Sequence, residues 1–316
     1  MISIKNLFIK DKKPENDWND LFSNMAGLFR TALSGMPVQV GYSHPYHDLN
    51  TNLGVITLLM ISEYLNKNLF TNEKYTNSRR IGHYAKKYYS MAGEDGIIEE
   101  ICNRLNIEEG QFVEFGVAYD GLENNTLYLL HKGWQGLWIE ASEKIIESAK
   151  KNFSNKVNNN VLKIINERVN AENIQVLLDS SGVKKDFDLL CIDIDGNDYW
   201  VWSAIKNYNP KIVVIEYNSV LGEKVSCVMP YDPNHDWAGS YFMGASLKAL
   251  EKLGQEKGYS LVGCDFHGVN AYFVRSDLIG DLFEAPYTTE NHYEPLRVFL
   301  TRSAGSLQGY GNFEYV

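Results

Sequence analysis

QFVEFGVAYDGLENNTLYLLHKGWQGLWIEA, residues 111–141, decides how this chain folds. A short apolar run (111–117) passes through a glycine-containing turn into helical spacing near 122–132 and then into a second apolar run (136–141), the alternation of a parallel α/β sheet. The pattern continues downstream. Apolar runs at 161–167, 188–194 and 211–217 alternate with helical stretches near 142–152, 171–180 and 198–206, and a helix near 244–257 precedes two last runs at 259–265 and 270–275. Only the four residues Phe266 to Val269 join that last pair, too few for the crossover a parallel pair requires. The spacing therefore predicts an α/β, Rossmann-like seven-stranded sheet whose last hairpin is antiparallel.

Upstream, 93–105 (GEDGIIEEICNRL) reads as a helix with an acidic first turn. Before about residue 90 the chain reads as a helical N-terminal region, in which 52–66 (NLGVITLLMISEYLN) is apolar nearly all round and wants a partner on two sides. Two units are expected: 1–88, covering substrate or joining copies in a homo-oligomer, and 89–316, carrying the ligand. With 316 residues, 44% of them hydrophobic, the chain can bury a large core. A formal net charge of −10 disfavours nucleic acid and anionic membrane surfaces as partners. The longest apolar stretch, 53–61, is about half the ~20 residues of a membrane span, so no membrane helix is expected. The opening MISIKNLFIKDKKPEND lacks the long apolar region of a secretory signal, and a cytoplasmic location follows as an expectation. Cys102, Cys191, Cys227 and Cys264 have no metal-ligand or CxxC spacing and read as buried free thiols.

In an open α/β sheet, ligands bind beyond the carboxyl ends of the strands. Glu114 and Gly116 close the first strand, and glycine admits close approach of backbone to a ligand. Glu140 closes the second, 26 residues after Glu114 and near the ~20 at which an acidic side chain reaches ribose hydroxyls. A nucleoside cofactor fits this pair. The loop lacks GxGxxG and places Asp120 where a pyrophosphate would want donors, which disfavours NAD. S-adenosylmethionine carries a sulfonium and an ammonium and suits acidic lining. DIDGNDYW (193–200) and VVIEYNS (213–219) end two further strands; parity pairs Asp193 with Asp195 and Glu216 with Asn218. Four oxygen donors on neighbouring strand ends suit a hard cation, Mg²⁺ or Ca²⁺. The alternative has Asp193 or Asp195 meeting the cofactor ammonium, with Glu216 and Asn218 binding substrate or capping the next loop. Candidate proton acceptors are His235, in the aromatic loop 228–242, and His267, in the final hairpin tip, with Asp198 behind them. The loop 228–242 either stacks on a flat acceptor or packs as a lid, and GYSHPYHDLN (41–50) has a similar composition.

With these motifs assembled, residues 89–278 resemble the class I S-adenosylmethionine-dependent methyltransferases, FkbM-type, through GEDGII, FVEFGVAYDGLENNT with GWQGLWIE, DFDLLCIDIDGNDYW, YSLVGCD and NAYFVR. The resemblance implies a reversed hairpin at the end of the sheet, Glu114 and Gly116 at the methionine portion, Glu140 at the ribose, the turn around Val169 and Asn170 near adenine, and DIDG bordering the methyl acceptor. Metal-dependent O-methyltransferases of this fold commonly carry an adjacent Asp and Asn where this chain has Glu216, Tyr217 and Asn218, and Ala118 and Tyr119 depart from a glycine-richer first loop. The expectation is an O-methyltransferase that acts on a hydroxyl of a small acceptor, a sugar or glycan precursor, with help from a divalent cation. Its alternatives are a metal-dependent hydroxylase on the same fold and a non-catalytic assembly protein.

Overall fold

In a computed structural model of the chain, the described residues are 71–118 and 121–297, with Met60 and Lys67. They belong to one unit spanning Asn50–Val316. Asp120, the segment 41–50 and, apart from Met60, the helix expected over 52–66 lie outside the described residues.

Seven strands form one sheet: β1 (Gln111–Phe115), β2 (Gln135–Glu140), β3 (Leu162–Asn166), β4 (Leu189–Ile192), β5 (Ile212–Glu216), β6 (Tyr259–Cys264) and β7 (Asn270–Arg275). Their order is β3-β2-β1-β4-β5-β7-β6. β1 to β5 are mutually parallel, and β7 runs antiparallel to both β5 and β6. The α/β, Rossmann-like sheet with a reversed last hairpin is thus present as the four-residue connection requires.

Strand parity distributes the core. Val113, Phe115, Leu190, Ile192, Val213 and Ile215 enter one apolar cluster, while Phe112, Leu189, Cys191, Ile212 and Val214 enter the other. These short strands are apolar on both sides because helices cover both faces. The first face meets α6 (Ile174–Ser181), α7 (Asp198–Ala204) and α8 (Leu247–Glu256), through Leu178, Trp202 and Leu250 among others. The second meets α2 (Glu94–Arg104), α3 (Leu127–His131) and α4 (Glu143–Asn152), through Ile97, Leu130 and Ile146. The remaining short helices are α1 (Glu73–Thr76), α5 (Ser154–Asn158) and α9 (Thr289–His292). Ser142 and Ser246 start α4 and α8 by accepting from the N–H of Ile145 and Ala249.

The helix expected near 122–132 is shorter in the structure, Leu127–His131, for a local reason. Asn124 accepts the Ala118 N–H, while the Asn125 N–H and Thr126 hydroxyl both donate to Glu114, so these polar residues brace the strand end instead of continuing a helix. Residues 71–88 pack on the sheet. Ile81 is fully buried, Tyr75 donates to Glu294, and Arg80 donates to Asn291. All four cysteines are free thiols, three of them buried; Cys227 is exposed, contrary to the expectation for it.

Candidate active site

The carboxyl ends of β1, β2 and β4 surround a pocket of about 480 Å³, within the ~300–1,000 Å³ typical of small-ligand sites. Gly116, Glu140, Asp193, Asp195, His235 and Trp237 are among its lining residues. Its floor depends on Gly116, whose φ of +83° a side-chain-bearing residue rarely adopts; a Cβ there would lie 1.8 Å from the Asp193 carbonyl oxygen. The tips of β1 and β4 touch at this glycine, and nothing larger fits between them.

Strand alternation sends Glu114, Glu140 and Glu216 to the same face of the sheet, the face of Trp138 and Val214. They do not end in one place. Glu140 is braced at the rim, accepting from the Val117 N–H at 3.0 Å and the Ser142 N–H at 2.7 Å. Glu114 lies one pleat deeper and is 2% exposed. It accepts from the Asn125 N–H and the Thr126 hydroxyl, and the Trp138 indole donates to that hydroxyl in turn. Burial pushes the Glu114 carboxyl up to about 7 against these donors. Glu140 lines the pocket, while Glu114, expected at the methionine portion of a cofactor, holds the first loop from behind it.

Among the described residues, Asp193, Asp195 and Glu216 bring carboxylate oxygens within 4.8 Å of one another. Asp195 achieves this through a left-handed backbone, φ +55°, because β4 has already ended at Ile192. Burial pushes Asp193 and Glu216 well above the usual carboxylate range, and the neighbouring acids Asp195, Asp193 and Asp198 add to it. One oxygen of Glu216 is buried without a hydrogen-bond partner. Asn218, which parity pairs with Glu216, is held by the chain that follows β5 and by the loop 228–242. Its Oδ1 accepts from Val220 N–H and its Nδ2 donates to the carbonyls of Tyr241 and Met243. The chain bends into a 3-10 turn at Ser219–Leu221 directly after β5, so strand alternation no longer applies there.

Asp198 is fully buried and both of its oxygens hold backbone, the N–H groups of Ile194 and Gly196, each at 2.9 Å. It shapes the DIDG turn and starts α7, the geometry of a positioning residue for the candidate proton acceptors, and burial pushes its carboxyl up to about 6. His235 lines the pocket with a buried, unpartnered Nε2. Its ring lies against Gly196, where a Cβ would meet Cδ2 at 2.4 Å. His267 is elsewhere, lining a separate cavity of about 470 Å³ with Lys74, Tyr75 and Glu294. The two histidines are not brought together, because the tip of the β6–β7 hairpin stands at the far edge of the sheet. Asn170 also stays out of the pocket lining: its Oδ1 accepts from Glu172 and Asn173 N–H groups ahead of α6, while Val169 and Arg168 line the wall.

Part of the loop 228–242, read from the sequence as a platform or a lid, lines the pocket, and its ties to the sheet were not legible in the sequence. Asn197 donates to the Asp232 carbonyl, Tyr231 bonds Glu172, and Arg168 donates to the His235 carbonyl and to Asp236 at 2.8 Å. These ties join the segment 231–236 to the ends of both β3 and β4. Arg168 and Asp236 are 68 residues apart, a separation over which charge patterning in a sequence gives no signal.

No protein-family model matches the chain, and no curated protein sequence matches it. Similar solved structures include an O-methyltransferase from Bacillus cereus in complex with S-adenosylhomocysteine, at 16% identity over 71% of this chain and 97% of that one, with a TM-score of 0.38. The O-methyltransferase TomG from Streptomyces achromogenes, involved in tomaymycin synthesis and in complex with S-adenosylmethionine, gives 17% identity over 72% and 97%, with a TM-score of 0.39. An S-adenosylmethionine-dependent methyltransferase from Clostridium acetobutylicum gives 13% identity over 69% and 98%, with a TM-score of 0.37. At these identities and scores the likeness carries no functional inference for this chain.

Proposed function

We propose that this chain is an S-adenosylmethionine-dependent O-methyltransferase of the FkbM type that methylates a hydroxyl of a small acceptor. The observation that carries the reading is the pocket over the ends of β1, β2 and β4, closed at its floor by Gly116 and rimmed by a braced Glu140. It is acidic and offers no glycine-rich cradle for a pyrophosphate, which suits a cationic nucleoside better than a dinucleotide. When bound, S-adenosylmethionine supplies an electrophilic methyl group. Glu140 would hold its ribose hydroxyls, and the backbone at Gly116 would admit its methionine portion. Methyl transfer is an in-line displacement, so the protein contributes mainly alignment, together with an acceptor for the hydroxyl proton. His235 Nε2, buried and unpartnered in the pocket, takes that proton.

The donor set of Asp193, Asp195 and Glu216 also fits a hard divalent cation: three carboxylates converge, and one Glu216 oxygen is left without a donor. Such a cation would lower the acceptor's pKa and relieve the charge crowding among these acids. No histidine nitrogen joins that group among the described residues, so the ligand set of a metal-dependent hydroxylase is not assembled. A cytoplasmic location is part of the reading, supported by four free cysteines. Among the described residues no helix is long and apolar enough to cross a membrane. A sugar or glycan precursor as acceptor and self-association through residues 1–88 remain proposals of the same kind.

The test is methyl transfer from tritiated S-adenosylmethionine to a panel of hydroxylated small molecules, with and without EDTA. Transfer that EDTA abolishes and Mg²⁺ restores supports the cation; transfer indifferent to EDTA leaves His235 to act alone. Absence of transfer to every acceptor, together with absence of cofactor binding, removes the methyltransferase reading and favours the assembly protein.

A further inference from the structure

We propose that Trp237, Tyr241 and Phe242 form the acceptor platform of this site, and that the acceptor is an uncharged, hydroxyl-bearing ring. The proposal rests on the methyltransferase reading. Trp237 lines the same pocket as Asp193 and Asp195, and its Nε1 donates to the Ser240 carbonyl at 2.8 Å, which fixes the indole. It is nevertheless 52% exposed, and Tyr241 and Phe242 are each 66% exposed. Trp237 in the pocket lining and Tyr241 and Phe242 four and five residues on leave three large aromatic faces in water on one loop, the arrangement expected where a ligand covers them.

Both ends of the loop are anchored to the chemistry. At the near end Arg168 holds the His235 carbonyl and Asp236. At the far end Asn218, two residues beyond Glu216, donates to the carbonyls of Tyr241 at 2.7 Å and Met243 at 3.1 Å. The platform therefore stands beside the strand ends that carry the three carboxylates. Asn218 thus positions the platform.

The chemistry of the two walls selects the acceptor. Aromatic faces stack on flat apolar faces. Asp193, Asp195 and Glu140 line the same pocket as Trp237, Glu216 clusters with the two aspartates, and the cation in the lining, Arg168, is paired with Asp236. A phosphate or carboxylate on the acceptor would meet repulsion there. An aryl ring with a hydroxyl and a cyclic polyol with an apolar C–H face share the required chemistry.

The experiment separates these sources. The full chain, saturated with S-adenosylhomocysteine, is mixed with catechol or methyl β-glucoside, and with their anionic counterparts protocatechuate and glucose 6-phosphate, and ring-proton saturation transfer is read by NMR. Saturation of at least one neutral ring is expected, weakened about fivefold or more by Tyr241→Ala and Phe242→Ala, with nucleoside affinity held within about twofold. Catechol alone marks an aryl acceptor, and the glucoside alone marks a polyol. The proposal is overturned if the anions bind as well as the neutral rings, if neither neutral ring binds, or if the two substitutions leave ring binding unchanged. It is also overturned if they abolish self-association in sedimentation, which makes the patch a subunit interface. Failure of the unmodified protein to bind S-adenosylhomocysteine, read before any ring is added, instead sinks the methyltransferase reading and the platform with it.

Discussion

Gly116→Ala separates the site's geometry from its backbone strain. Alanine at 116 must hold a φ of +83° and place its Cβ 1.8 Å from the Asp193 carbonyl, where ordinary contact begins at 3.4 Å. The tips of β1 and β4 must part by about 1.5 Å to admit it. The left-handed backbone costs about 1–2 kcal/mol and the overlap about 1–3 kcal/mol more. For a domain of this size that corresponds to a fall in Tm of roughly 5–15 °C. Gly133→Ala is the control. Its φ is +97°, but nothing lies within 4 Å of the added Cβ, so it carries the strain without the overlap and loses only about 3–6 °C. Differential scanning calorimetry gives the stabilities, and titration calorimetry with S-adenosylhomocysteine gives the affinities. The expected result is a loss of affinity of about tenfold or more in Gly116→Ala and unchanged affinity in Gly133→Ala. Equal destabilisation of both variants, with nucleoside binding intact in Gly116→Ala, would refute the view that this contact forms the pocket floor.

Three further outcomes follow from the site. Gly196→Ala pushes a Cβ into the His235 ring and should lower kcat about tenfold or more at nearly constant cofactor affinity, whereas an unchanged kcat removes His235 as proton acceptor. Glu114, raised by burial to about 7 against an unfolded value of about 4.3, keeps its proton when the unfolded chain has lost it, so its contribution to stability is present below about pH 4 and is lost as pH rises to about 7. Glu114→Gln should make the decline in denaturant midpoint over that window shallower by one proton, and an identical slope counts against the buried carboxyl as its source. Arg168→Ala breaks the tie to Asp236 of the loop 228–242, a pair 43% and 79% exposed whose stability value is at most about 1 kcal/mol, so Tm should barely move while cofactor dissociation in stopped flow speeds up several-fold; an unchanged off-rate means the loop does not cover the ligand.

The sheet was legible because each signal was local. Apolar runs of strand length alternated with helical spacing, and the four-residue connection between β6 and β7 left no parallel alternative. The acidic strand ends were legible for the same reason, since parity within a strand is a property of a few consecutive residues. It failed where strands stopped. Asp195 reached its place through a left-handed turn and Asn218 caps a 3-10 turn, neither of which alternation describes. Acidic residues also look alike in a sequence whether they bind ligand or backbone. Glu114 and Asp198 are buried against donors of Asn125 and Thr126 and of Ile194 and Gly196, whereas Asp193 and Glu140, the latter braced by backbone N–H groups too, line the pocket. DIDGND contained one clue, since an Asp at the start of a helix after a glycine turn is placed to accept from backbone N–H groups.

The most direct measurement of the central claim is titration calorimetry of the full chain with S-adenosylmethionine, with NAD as comparison and Glu140→Ala as the variant. Saturable 1:1 binding of the sulfonium nucleoside is expected, with no heat from the dinucleotide and a loss of about tenfold or more on removing the Glu140 carboxylate. Binding of NAD in its place, or S-adenosylmethionine affinity indifferent to Glu140, would contradict it.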